Sequence, residues 1–110
     1  MILDLFKLNG RTALVTGGSR GLGQAIARGL AEAGADVACV SRSGEAAETA
    51  RLVEGAGRKF LDLKVDLSHP EQRKGIADQV VDEFGSLDIL VNNAGTGTRH
   101  PPEEYPENEW

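Results

Sequence analysis

One cysteine, one tryptophan and one tyrosine in 110 residues are too few for several classes of protein. A lone thiol, Cys39, cannot close a disulfide within the chain, and its place in an apolar run marks a buried, inert side chain suited to a reducing, cytoplasmic setting. Twelve Lys and Arg stand against seventeen Asp and Glu, and no basic run interleaves with aromatics, so a nucleic-acid surface has little support. No apolar stretch is long enough to span a bilayer. The opening Met1-Ile2-Leu3-Asp4-Leu5-Phe6-Lys7 carries an early Asp and reads as a short packed lead-in, neither signal peptide nor membrane span. No Lys-Ser or Lys-Thr follows the glycine cluster around residue 20, which disfavours a nucleoside-triphosphate P-loop.

What is present is an ordinary globular composition, 40% hydrophobic and 26% charged, in a length that suits one domain. After the Asn9-Gly10 turn signal, residues 12–16 form a short apolar run ended by glycines, a buried strand. Leu22, Ile26, Gly29, Leu30 and Ala33 then fall on one stripe of a helix closed by Gly34. Residues 36–41 repeat the strand. Residues 45–56 form a weaker helix, with Ala47, Ala50, Leu52 and Val53 inward and Gly57 after it. Residues 60–65 alternate, with Leu61, Leu63 and Val65 on one face and Asp62 and Lys64 on the other, as expected near a sheet edge.

Ser68-His69-Pro70-Glu71 has the pattern of a capping box opening one helix with Ile76, Ala77, Val80, Val81 and Phe84 on its core face and Gly85 at its end. Residues 87–92 are the most apolar strand, which predicts a place near a sheet centre with both faces covered. Strands alternating with helices at this spacing predict an α/β fold with a parallel, right-handed βαβ sheet. Beyond Gly97, three prolines and four glutamates read as a polar loop entering a further helix near Trp110.

The strand-to-helix turn Thr16-Gly17-Gly18-Ser19-Arg20-Gly21-Leu22-Gly23 is where chemistry is expected. Amides at a helix start, together with the positive end of its dipole, form an anion site, and glycines let a diphosphate approach the backbone. The order G-x-x-x-G-x-G differs from the common G-x-G-x-x-G fingerprint. With Asn92-Asn93-Ala94-Gly95 after the fourth strand and Asp66 after the third, it resembles the short-chain dehydrogenase/reductase family, and the resemblance covers essentially the whole chain.

That resemblance implies a Rossmann-like doubly wound sheet, of which this chain supplies four strands in the order 3-2-1-4, binding a nicotinamide dinucleotide. Gly17, Ser19, Gly21, Leu22 and Gly23 would lie along the diphosphate and adenosine ribose. Asp66 and Leu67 would line the adenine, and Asn93, Ala94 and Gly95 would approach the adenosine ribose and the nicotinamide side. The Asn92 and Asn93 amides are also expected to tie neighbouring strands together. An acid about twenty residues after the glycines would take the ribose 2′-hydroxyl of NAD, and an arginine there the 2′-phosphate of NADP. Here stand Ser41 and Arg42, with Arg20 in the turn itself, which favours NADP. Glu45 is near enough in sequence to keep NAD open.

The family's Tyr-x-x-x-Lys pair and its Ser are absent. Four residues after Tyr105 stands Glu109, so no catalytic residue is assigned. Arg99 and His100 fall in a loop that borders the substrate in the family, where a solvated loop is the plainer reading. The chain therefore reads as the amino-terminal, cofactor-binding part (residues 1–110) of a larger homo-oligomeric oxidoreductase, inactive alone, with the fourth strand left as an apolar edge. Among family members it is most similar to the sugar-acid enzymes of the gluconate type. The alternatives are a non-catalytic dinucleotide-binding fragment and a 3-oxoacyl-thioester reductase.

Overall fold

The computed structural model describes residues 7–42 and 45–93. The expectations for the lead-in up to Phe6, for Ala94 and Gly95, and for Arg99, His100, Tyr105 and the proline-rich segment lie outside the described residues. The elements run β1 (Thr12–Thr16), α1 (Gly21–Glu32), β2 (Asp36–Ser41), α2 (Ala47–Gly55), β3 (Phe60–Lys64), α3 (Pro70–Arg73), α4 (Ile76–Phe84) and β4 (Ile89–Val91). All strand pairs are parallel, in the order β3-β2-β1-β4, with Ala13 opposite both Val37 and Ile89, and Val40 opposite Leu63.

The two-residue period of the strands divides the core. Leu14, Ala38, Val40 and Leu63 face Ile76 and Val80 of α4, with Leu61, Val65, Leu67, Phe84 and Leu87 packed around them. Val15, Val37 and Cys39 face the other way, onto Ala27 and Ala31 of α1 and Val53 of α2. Helices therefore cover both faces, and the sheet is doubly wound. Gly34 and Gly85 end α1 and α4 with positive φ. Among the described residues, no helix is long and apolar enough to cross a membrane.

Several local expectations are corrected. The buried line of α1 is Gly23, Ala27 and Ala31, small residues four apart that let the helix lie close to the sheet; Leu22 is 69% exposed, and Gly29 is exposed. On α2 the buried residues are Thr49 and Val53, and Ala47 is exposed.

The helix expected after Ser68 is two helices. Gly75, at φ +80, takes a left-handed conformation that side-chain-bearing residues avoid, and it separates α3 from α4. There is no capping box: His69 holds the N-cap position without a side-chain cap bond, while the Ser68 amide and hydroxyl both donate to Asp66 Oδ1 (3.0 and 2.6 Å). Ala77 and Val81 face outward on α4. Finally, β4 lies at the edge of the described sheet, as expected of the fourth strand in the order 3-2-1-4, and the covering of both faces that its apolar run suggested is not met among the described residues, where Leu90 is 59% exposed.

Candidate functional site: the carboxyl ends of β1, β2, β3 and β4

The strand order reverses between β1 and β4, and in open α/β sheets the crevice outside the carboxyl ends of such a pair is the usual ligand site. Residues 17–23 and Asn93 meet there. The Gly17 N–H donates to the Val40 carbonyl (2.8 Å), which carries the turn off β1 toward β2. Gly17 has φ +67, a conformation that glycine adopts without steric cost.

The Thr16 hydroxyl donates to the Val91 carbonyl (3.3 Å) and accepts the Asn93 N–H (2.9 Å), so one side chain joins the ends of β1 and β4. The Asn93 side-chain amide donates to the Gly17 carbonyl (3.4 Å). The strand-tying role expected of Asn93 is thus present; Asn92 is exposed.

Two glycines are there for space. A Cβ on Gly23 would run into the Gly17 carbonyl and the Asn93 amide, so nothing larger lets the first turn of α1 sit against the strand end. A Cβ on Gly18 would strike the Cys39 Sγ. Gly18 was not singled out by sequence, nor were two polar residues from the helices. The Thr49 hydroxyl, fully buried, donates to the Gly18 carbonyl (2.7 Å). The Gln24 side-chain amide donates to the Ser19 carbonyl (3.3 Å) and to Thr49 Oγ1 (3.2 Å). The only advance signal was that Thr49 sits four residues before Val53, on the face of α2 that turned out to be buried.

The amides of Ser19, Arg20 and Gly21 donate to no acceptor among the described residues, and the first turn of α1 carries no acid. A positive helix end with free amides and no local carboxylate favours an anion. Arg20 and Arg42 are exposed, and neither is at salt-bridge distance from a described carboxylate. Ser41 is buried, and its carbonyl accepts the Val65 N–H (3.0 Å), which brings the residues after β2 beside those after β3.

There Asp66 is held below the usual carboxylate range, first by the Ser68 hydroxyl and amide, then by the positive fields of His69 and Arg42. Its second oxygen lies 3.4 Å from His69 Nε2. The Gln72 side-chain carbonyl accepts the Asp66 N–H (2.8 Å). Leu67 turns its side chain into the core cluster under α4. Leu22 projects outward, an apolar side chain at the mouth of the anion site.

On the sheet face under α1 and α2, burial and the nearby Asp62 push the Cys39 thiol up to about 12, as befits an inert core residue. No group of three or more potential metal ligands occurs among the described residues. An open groove beside Phe60 and Phe84 lies at the amino end of β3, away from the glycine turn.

Comparison with known proteins agrees with this geometry. The chain is 47% identical over 107 residues to the 2-dehydro-3-deoxy-D-gluconate 5-dehydrogenase of Bacillus subtilis, covering 97% of this chain and 42% of that protein. It is 46% identical over 106 residues to the rhamnolipids biosynthesis 3-oxoacyl-[acyl-carrier-protein] reductase of Pseudomonas aeruginosa, covering 96% and 41%. Among solved structures, a short chain dehydrogenase from Burkholderia cenocepacia in complex with NADP superposes with a TM-score of 0.80 at 39% identity, covering 94% of this chain and 43% of that one. Carveol dehydrogenase from Mycobacterium avium in complex with NAD does so at 0.79 and 32%, with the same coverage. The chain thus spans about two fifths of the length of these relatives. The family model described as short chain dehydrogenase matches residues 11–110. With the 3-2-1-4 sheet and the glycine turn at its switch point, that match makes this chain a member of the short chain dehydrogenase family.

Proposed function

We infer that this chain is the dinucleotide-binding part of an NAD(P)-dependent oxidoreductase acting on a carbonyl or alcohol carbon of a sugar acid. The observation that carries the reading is the cradle at the end of β1: Gly17 in a left-handed turn, Gly23 with no room for a Cβ, and free amides at the head of α1. These features fit a diphosphate. Gly17, Ser19, Gly21, Leu22 and Gly23 would hold it. Ionised Asp66 is an acceptor for the amino group of an adenine, with Leu67 beside it.

Arg20 and Arg42 would take a ribose 2′-phosphate, so the cofactor is read as NADP, with NAD the second choice. Asn93, Ala94 and Gly95 would border the nicotinamide half. Bound there, the dinucleotide supplies the hydride chemistry. This chain's residues bind and orient it, and the acid/base chemistry is assigned to residues beyond Trp110, in keeping with the two-fifths coverage of the relatives. The single buried thiol suits a cytoplasmic enzyme. The full-length enzyme is read as a homo-oligomer.

Fluorescence titration of the full-length polypeptide with NADPH and NADH tests the cofactor half of this reading. Saturable binding with NADPH tighter, and the preference reduced in Arg42→Leu, is the expected result; binding of neither nucleotide would sink it. A second reading, 3-oxoacyl-thioester reduction, is supported by the Pseudomonas aeruginosa relative. Turnover of sugar acids against a 3-oxoacyl thioester, followed by nicotinamide absorbance, separates the two.

A further inference from the structure

Three consecutive carbonyls of the glycine turn are each taken by a side chain from a different part of the chain: Gly17 by Asn93, Gly18 by Thr49 of α2, and Ser19 by Gln24 of α1. In a planar trans peptide the C=O and the N–H of the next residue point in opposite directions, and the described backbone contains no cis bond. Holding the Gly18 carbonyl toward α2 therefore turns the Ser19 N–H away from α2. Holding the Ser19 carbonyl on Gln24 likewise fixes the plane that carries the Arg20 N–H. Neither amide has an acceptor among the described residues. The two side chains are also bonded to each other, Gln24 to Thr49 Oγ1, so they act as one unit across the α1–α2 contact.

We propose that Thr49 and Gln24 are positioning residues that lock two peptide planes of the glycine turn, so that the Ser19 and Arg20 amides face the cofactor diphosphate. The proposal rests on the cofactor reading above. A turn whose carbonyls are already committed does not have to reorganise when an anion arrives, and preorganisation of this kind raises affinity without adding a contact. Neither residue needs to touch the ligand.

The test measures NADPH affinity and thermal stability of the full-length polypeptide in four variants. Thr49→Val keeps the shape and removes the hydroxyl; about tenfold weaker binding is expected. Gln24→Met frees the Ser19 carbonyl and removes the donor to Thr49 Oγ1 while leaving the Thr49 bond to the Gly18 carbonyl, and should weaken binding about threefold. Thr49→Ser restores the hydroxyl and should return affinity to within about twofold of wild type. Val53→Ala, one turn along α2 and outside the bonded unit, should lower the melting temperature and leave affinity unchanged. Wild-type affinity in both Thr49→Val and Gln24→Met overturns the proposal, as does a loss in Val53→Ala equal to that in Thr49→Val. If Thr49→Val does not fold, Gln24→Met decides. A wild-type protein that binds neither NADPH nor NADH overturns the cofactor reading and the clamp with it, whereas wild-type binding with insensitive variants overturns the clamp alone.

Discussion

Two corners of the candidate site are built in opposite ways. The corner at residues 17–23 is backbone held by the interior: its carbonyls are bonded by Asn93, Thr49 and Gln24, and its glycines are pressed against Cys39 and the turn itself. The corner at residues 66–69 is a surface network of side chains that bond one another, with Ser68 and His69 both exposed and gathered on the Asp66 carboxylate. Binding and folding share the same atoms in the first corner. In the second they are separable, and substitutions at the two should differ in what they damage.

The largest effect is expected at Gly23. In Gly23→Ala the new methyl meets a backbone carbonyl that has nowhere to go, so a loss of about 3 kcal/mol in denaturant unfolding should accompany loss of NADPH binding. Gly18→Ala should cost about 2 kcal/mol, because its methyl strikes a side chain in a closed core. Adding Cys39→Ala removes the obstructing sulfur, so the double variant should be more stable than the sum of the single losses predicts. Additive losses would show that the turn and the core are not coupled through this contact.

At the other corner, Asp66→Asn should weaken NADPH binding about fivefold while leaving the unfolding free energy nearly unchanged. A large drop in stability there would break the contrast.

The smallest effect is acid dependence. Asp66 has its carboxyl lowered in the folded chain, chiefly by Ser68, so its contribution is fully present above the unfolded aspartate value of about 4 and fades as pH falls through the lower folded value. The difference in melting temperature between wild type and Ser68→Ala should therefore be constant near neutrality and shrink only in acid. A difference that grew on acidification would reverse the assignment.

The alternation of parallel strands and helices was legible in the sequence, because short apolar runs punctuated by glycine are local signals and the βαβ rule fixes their crossover hand, whereas the strand order and the meeting of the glycine turn with Asn93 came with the family resemblance that the two motifs carry. What misled was counting apolar bulk. Leu22 drew the α1 stripe one residue out of place, while the buried line runs through Gly23, Ala27 and Ala31, whose value is their small size. The break at Gly75 was concealed because Ile76, Val80 and Phe84 continue a helical period that Ser68 and Glu71 seemed to open. Ser68 instead bonds back to Asp66, two residues away, a local alternative open to short polar side chains. Thr49 and Gln24 carried no motif at all; their role comes from the α1–α2 contact, which no local pattern encodes.

Cys39 has a practical consequence. It is wholly buried beneath Gly18, with its thiol kept protonated. A thiol-directed reagent can reach it only when the glycine turn, α1 or α2 lifts from this face of the sheet, so the rate of its modification is a built-in clock for that opening. A dinucleotide seated on the turn should slow that clock, giving an occupancy signal that needs no turnover and no added label on the nucleotide.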